Sequence, residues 1–313
     1  MLPVVPPLIL EDTDGETSLK TALRLALATV LSAAALSVTA PHASASATPS
    51  PPPRYVALGD SFAAEPLVPP ADPTDPACLR SLAGYPHVAA RALGADLTDV
   101  SCSAATTGDL SASQHAGVPP QYAALSPGTD LVSVTIGAND VRLFSEALKC
   151  VNLLPQPLGT SCAERNTADG TDRLAARIDA WAPTFASVLD EIARRAPYAE
   201  VFVVGYGNFV RTGGCYPTQP LWSQDATHLQ RTIDRLTAVL RRTAEEHHAT
   251  FVDTYGPGIG HDICAAPGDR YIEGMAPDRP AAALHPNEAG ARVIGEALTA
   301  AVRAQRARTD GAS

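Results

Sequence analysis

Five short apolar runs separated by amphipathic stretches constrain the fold of this chain more than any other feature. Tyr55–Leu58, Leu97–Ser101, Leu131–Ile136, Val201–Val204 and Thr250–Asp253 are mostly branched or aromatic. Most lack the clean apolar–polar alternation of a sheet with one wet face, so they read as parallel strands covered on both sides. Helical stretches lie between them, a short one at Pro86–Leu93 and long ones at Asp172–Ala196, Ser223–His248 and Asn287–Arg303. Ile233, Leu236 and Leu240 mark the inner face of the third, and Val293, Ile294, Ala297 and Leu298 that of the last. Strands alternating with helices predict an α/β chain with a doubly wound sheet. Ligands of such sheets bind beyond the carboxyl ends of the strands.

At two of those ends the sequence changes abruptly. Arg54-Tyr55-Val56-Ala57-Leu58 stops at Gly59-Asp60-Ser61, and Leu131–Ile136 runs into Gly137-Ala138-Asn139-Asp140. His285-Pro286-Asn287 stands just ahead of the last helix. A serine hydroxyl attacks esters slowly unless a base takes its proton and donors face the developing oxyanion. Ser61 therefore reads as the nucleophile, His285 as the base, and Asn139 as an oxyanion donor beside the backbone N–H of Ser61 itself. Asp140 is expected to cap the following helix. Each piece has a plainer reading, because Gly, Asp, Asn and Ser are ordinary turn and cap residues. The three together, each at the edge of a regular element, point to acyl transfer.

These three segments resemble blocks I, III and V of the SGNH (GDSL-type) hydrolase family, and the similarity runs from about Arg54 to Arg303. The chain looks most like the secreted actinobacterial-type esterases and lipases of that family. The resemblance implies a flavodoxin-like three-layer sandwich with a central five-stranded parallel sheet, an acyl-Ser61 intermediate and no cofactor. It also implies the disulfides Cys78–Cys102, Cys150–Cys162 and Cys215–Cys264. Two departures stand out. Block II normally supplies a glycine whose N–H is an oxyanion donor, and Ala104 occupies that place in Ser101-Cys102-Ser103-Ala104-Ala105-Thr106-Thr107. The N–H survives, yet alanine would be strained if the position needs a left-handed backbone. Block V normally carries an Asp three residues before the histidine, where this chain has Ala282. By likeness to members that use a main-chain carbonyl, the Ala282 carbonyl is expected to orient His285, with Asp278 as the alternative.

The chain has 313 residues, 45% of them hydrophobic, and a net charge of −10, which argues against a nucleic-acid or anionic-membrane partner. Lys20 and Arg24 precede an apolar stretch from Leu25 to Val38, and Ala43-Ser44-Ala45 offers a cleavage site. Residues 1–45 thus read as an export signal rather than a lasting membrane anchor. Glu11, Asp12, Asp14 and Glu16 are unusual upstream of a signal, and a start codon assigned too early would explain them. Residues 46–53 read as a disordered leader and 54–308 as one secreted, monomeric hydrolase domain. Six cysteines in the exported part suit disulfides, and the absence of Cys-x-x-Cys speaks against structural zinc. His247-His248 reads as a solvated helix end and His261 as a loop contact. The irregular segments Ala63–Gly84, Cys150–Thr171 and Gly205–Trp222 are expected to wall the cleft. They mix Leu67, Val68 and Trp222 with Asp72, Asp75 and Gln219, so lipid or small esters are favoured only slightly. The alternatives are a carbohydrate acetyl-esterase and a catalytically silent extracellular binding module.

Overall fold

The computed structural model describes residues 51–311, so the expected signal and most of the leader lie outside the described residues. The strands β1 (Arg54–Gly59), β2 (Asp96–Asp99), β3 (Leu131–Thr135), β4 (Glu200–Val204) and β5 (Thr250–Val252) form one sheet in the order β2-β1-β3-β4-β5. All neighbours are parallel. The helices in chain order are α1 (Ser61–Ala64), α2 (Tyr85–Leu93), α3 (Leu143–Leu148), α4 (Cys162–Thr167), α5 (Arg173–Arg195), α6 (Ser223–Glu246), α7 (Tyr255–Gly258) and α8 (Glu288–Asp310). Among the described residues no helix is long and apolar enough to cross a membrane.

Successive strand side chains point to opposite faces, and both faces are apolar here. Tyr55, Ala57, Leu131, Phe202 and Val204 share one core with Tyr85 and Ala89 of α2 and Ile294 and Leu298 of α8. Val56, Leu58, Val132, Val134 and Val203 share the other with Ile178 and Phe185 of α5 and Ile233 and Leu236 of α6. The sheet is therefore the middle of three layers. Its strand order reverses between β1 and β3, the place where such sheets open a crevice. Gly59 lies beside Thr135 in the register, so β1 and β3 end level and their following turns meet at one rim.

Three boundaries depart from expectation. β2 lies earlier than Leu97–Ser101, and its Asp-Leu-Thr-Asp composition is that of a half-exposed edge strand. The segment Cys150–Thr171 is not wholly irregular. It contains α4, whose N-cap Ser161 accepts the Glu164 N–H. The last helix runs on to Asp310. All six cysteines pair, as Cys78–Cys102, Cys150–Cys162 and Cys215–Cys264. The first bridge ties the Ala63–Gly84 loop to the segment after β2.

Candidate active site

The turn after β1 is built around a glycine that nothing else could replace. Gly59 has φ +151°, and an added Cβ would sit 2.5 Å from the Thr135 carbonyl oxygen. Buried Gln121 clamps this glycine, accepting its N–H at 2.7 Å and donating to its carbonyl at 2.9 Å. Asp60 then caps α1 by accepting the Phe62 N–H, which leaves Ser61 as the first helical residue. That N–H position has no partner within a helix. The Ser61 N–H indeed has no acceptor among the described residues.

His285 reaches this turn from the segment just ahead of α8. Its Nε2 lies 2.7 Å from Ser61 Oγ, and its Nδ1 lies 2.7 Å from the carbonyl oxygen of Ala283. A carbonyl only accepts, so Nδ1 carries the proton and Nε2 is free to take one from the serine. The expectation for Ala282 is corrected. Its carbonyl accepts the backbone N–H of His285 at 3.2 Å, closing a turn, and is thereby turned away from the ring. Asp278 is corrected as well, because its carboxylate pairs with Arg270. Buried Glu273 holds the loop on both sides, accepting from the Asn287 amide at 2.6 Å and from the Asp278 N–H at 2.9 Å.

Asn139 lines the same cleft as Ser61 and His285. Its Nδ2 donates to the Ala105 carbonyl at 2.9 Å, which leaves one amide hydrogen and draws the Ala104 segment to the rim. Ala104 adopts φ +67°, the left-handed backbone that costs an L-residue about 1–2 kcal/mol. The Ala104 N–H, like that of Ser61, has no acceptor among the described residues. Asp140 does not cap the following helix, contrary to expectation. It accepts the N–H and hydroxyl of Thr107, while α3 begins after Arg142 without a side-chain cap.

Sequence reasoning missed Tyr206. Its buried hydroxyl donates to Asp60 Oδ2 at 2.5 Å and accepts the Ala138 N–H at 3.0 Å, joining the serine turn to the asparagine turn. The available signal was its place just past the carboxyl end of β4, equivalent to those of Ser61 and Asn139. Burial pushes the Asp60 pKa up to about 7, against the lowering effect of the Tyr206 and Phe62 hydrogen bonds. Among the described residues no group of three or more His, Cys, Asp or Glu is arranged to hold a metal ion.

Burial also lowers the His285 pKa, opposed by the hydrogen bond to Ala283. As a catalytic base His285 would have to be neutral, so its loss of activity would come as pH drops through this lowered pKa. The acid limb of kcat/KM is therefore expected below the ~6.5 of an unperturbed histidine. A limb above that value in both the parent and Asp60→Asn would overturn the assignment.

The pair opens onto a cleft whose apolar wall includes Val210, Leu221, Leu229, Ile233 and Ile263. A hydroxyl with a base in reach, beside an apolar wall, can transfer an acyl group. Comparison with known proteins points the same way. Residues 57–293 match the model of the GDSL-like lipase/acylhydrolase family. Lipase 2 of Streptomyces coelicolor is 39% identical over 282 residues, which cover 87% of this chain and 95% of that protein. The crystal structure of an extracellular lipase from Streptomyces rimosus superposes with a TM-score of 0.68 at 28% identity, covering 80% of this chain and 99% of that one. Phospholipase A1 from Streptomyces albidoflavus gives a TM-score of 0.64 at 26% identity, covering 80% and 100%. Since the family match spans most of the described residues and the Streptomyces coelicolor relative aligns over nearly its whole length, the chain belongs to the GDSL-like lipase/acylhydrolase family and is a carboxylic-ester hydrolase of that type.

Proposed function

We propose that the enzyme is an exported lipase that cleaves esters of longer acyl chains through an acyl-Ser61 intermediate. The observation that carries this reading is the Ser61–His285 hydrogen bond of 2.7 Å at the mouth of an apolar cleft. Ser61 Oγ attacks the ester carbonyl carbon while its proton passes to His285 Nε2. The imidazolium is held by the Ala283 carbonyl. The negative oxygen is received by the N–H groups of Ser61 and Ala104 and by the Asn139 amide. His285 then gives the proton to the leaving alcohol. It next takes one from water as the water oxygen attacks the acyl carbon, and returns it to Ser61 Oγ when the acid leaves.

The acyl chain is assigned to the wall formed by Leu221, Leu229 and Ile233, where each methylene removed from water favours binding. kcat/KM is expected to rise from p-nitrophenyl acetate toward longer esters. Leu229→Trp is expected to cut the rate on the long esters by about tenfold while sparing acetate. A parent optimum at acetate would sink the acyl-chain assignment, and no turnover at any length would sink the mechanism. A second reading, a phospholipid ester as substrate, is favoured by the likeness to the Streptomyces phospholipase A1. Release of fatty acid from a diacylphosphatidylcholine decides it.

Export is part of the proposal, supported by the three disulfides and the likeness to an extracellular lipase. Residues 1–45 are assigned to the signal, 46–53 to a leader, and 54–308 to the hydrolase domain, which α8 extends to Asp310. An active monomer is part of the same proposal, and sedimentation of the enzyme at assay concentration checks it.

A further inference from the structure

Eleven large apolar side chains are exposed among the described residues, and five of them fall in one short segment. They are Phe144 (40% exposed), Leu148 (48%), Leu153 (81%), Leu154 (54%) and Leu158 (66%). This segment continues the wall of the catalytic cleft. Leu143, Phe144 and Ala147 line the cleft, and the Phe144 ring lies 5.9 Å from that of His285. Val151 pairs by a β-bridge with Leu221, another lining residue.

The backbone beneath these leucines is fixed, so they cannot simply fold inward. Cys150 is bridged to Cys162, and the Asn152 N–H donates to the Pro220 carbonyl at 2.7 Å. The Asn152 side chain bonds the Thr160 backbone in both directions at 3.1 Å. Trp222 Nε1 donates to the Leu154 carbonyl at 2.9 Å. Charge is nearly absent. Between residues 143 and 161 only Glu146 and Lys149 are charged, and they pair at 3.0 Å. A rigid apolar rim with no free charge, on a chain of net charge −10, suits an uncharged or zwitterionic partner and disfavours an anionic membrane.

Building on the lipase reading, we propose that residues 144–158 are the surface by which the enzyme docks on the lipid–water interface of its own aggregated ester substrate. Exposed leucines enter the interface, and the cleft mouth beside Phe144 is thereby presented to ester groups lying in it.

The test compares the parent with Leu153→Gln/Leu158→Gln, neither residue being part of the cleft. Tyr198→Gln serves as the control, because that exposed side chain precedes β4 and so lies at the opposite, amino-terminal edge of the sheet. On dissolved p-nitrophenyl butyrate the double variant is expected to match the parent. On emulsified trioctanoylglycerol its half-saturating interfacial area is expected to rise about tenfold, with Tyr198→Gln unchanged. Sedimentation with phosphatidylcholine vesicles reads docking without catalysis. In a Ser61→Ala background the leucine pair is expected to bind about tenfold more weakly. Equal saturation on the emulsion, or equal vesicle binding, would overturn the docking surface. Failure of the lipase reading would instead show in the parent, as an optimum at acetate on the dissolved p-nitrophenyl esters and no turnover of the emulsion.

Discussion

His285→Ala is expected to lower kcat/KM by about 10⁵–10⁶-fold, Ser61→Ala by as much, and the double variant by no more than either alone. The geometry gives the reason. In the proposed mechanism Ser61 Oγ gives its proton to His285 Nε2, 2.7 Å away, while His285 Nδ1 is held on the Ala283 carbonyl. Once either partner is lost the other has no task, so the two deletions cannot add. Matched melting temperatures would separate loss of chemistry from loss of fold, and multiplied single effects would overturn the joint action. Asp278→Asn sharpens the result. If the ring is held by a carbonyl, neutralising a carboxylate engaged by Arg270 should leave kcat/KM within about tenfold of the parent. A loss comparable with that of His285→Ala would instead make Asp278 the orienting group.

What the sequence discloses follows from the range over which each feature is determined. The turn at Gly59-Asp60-Ser61 is legible because its chemistry is local. A glycine at positive φ, a capping aspartate and a first-turn serine are encoded within three residues. The two-sided burial of β1 and β3 is equally legible, because Tyr55 and Ala57 are as apolar as Val56 and Leu58. Edge strand β2 is less so, since half exposure mixes polar residues into the pattern and hides its start. The disulfide pairing came from family likeness and could not have come from the cysteine count alone. The choice between Ala282 and Ala283 rests on one backbone turn. Leu284 adopts φ +61°, and the His285 N–H closes onto Ala282, details that no alanine run announces. Asp140 shows the same limit, being drawn from helix capping to Thr107, which lies 33 residues away. Tyr206 is hidden for a related reason. Its two partners, Asp60 and Ala138, come together only when β1, β3 and β4 lie side by side.

That junction carries the second large effect. Asn139→Ala is expected to reduce kcat by about 10²–10³-fold with KM little changed, because in the proposed mechanism its amide meets charge that exists only in the transition state. Tyr206→Phe should move the same quantity by a smaller amount, about tenfold, although Tyr206 is a positioning residue that touches no substrate. Its ring would stay packed edge-on against Phe62 at 5.1 Å, while Asp60 loses a donor and the Ala138 N–H loses its acceptor. The serine turn and the asparagine turn would then no longer be tied to each other. If the tie acts through Asn139, the double variant should fall short of the product of the two single losses. An alkyl boronic acid, which forms a tetrahedral adduct on Ser61, gives a readout that plain destabilisation would not move. Its affinity should fall in step with kcat/KM in both variants, whereas a fatty-acid product should bind as it does to the parent. An increase in KM with kcat intact would instead mean that Tyr206 shapes the cleft and takes no part in setting the oxyanion donors.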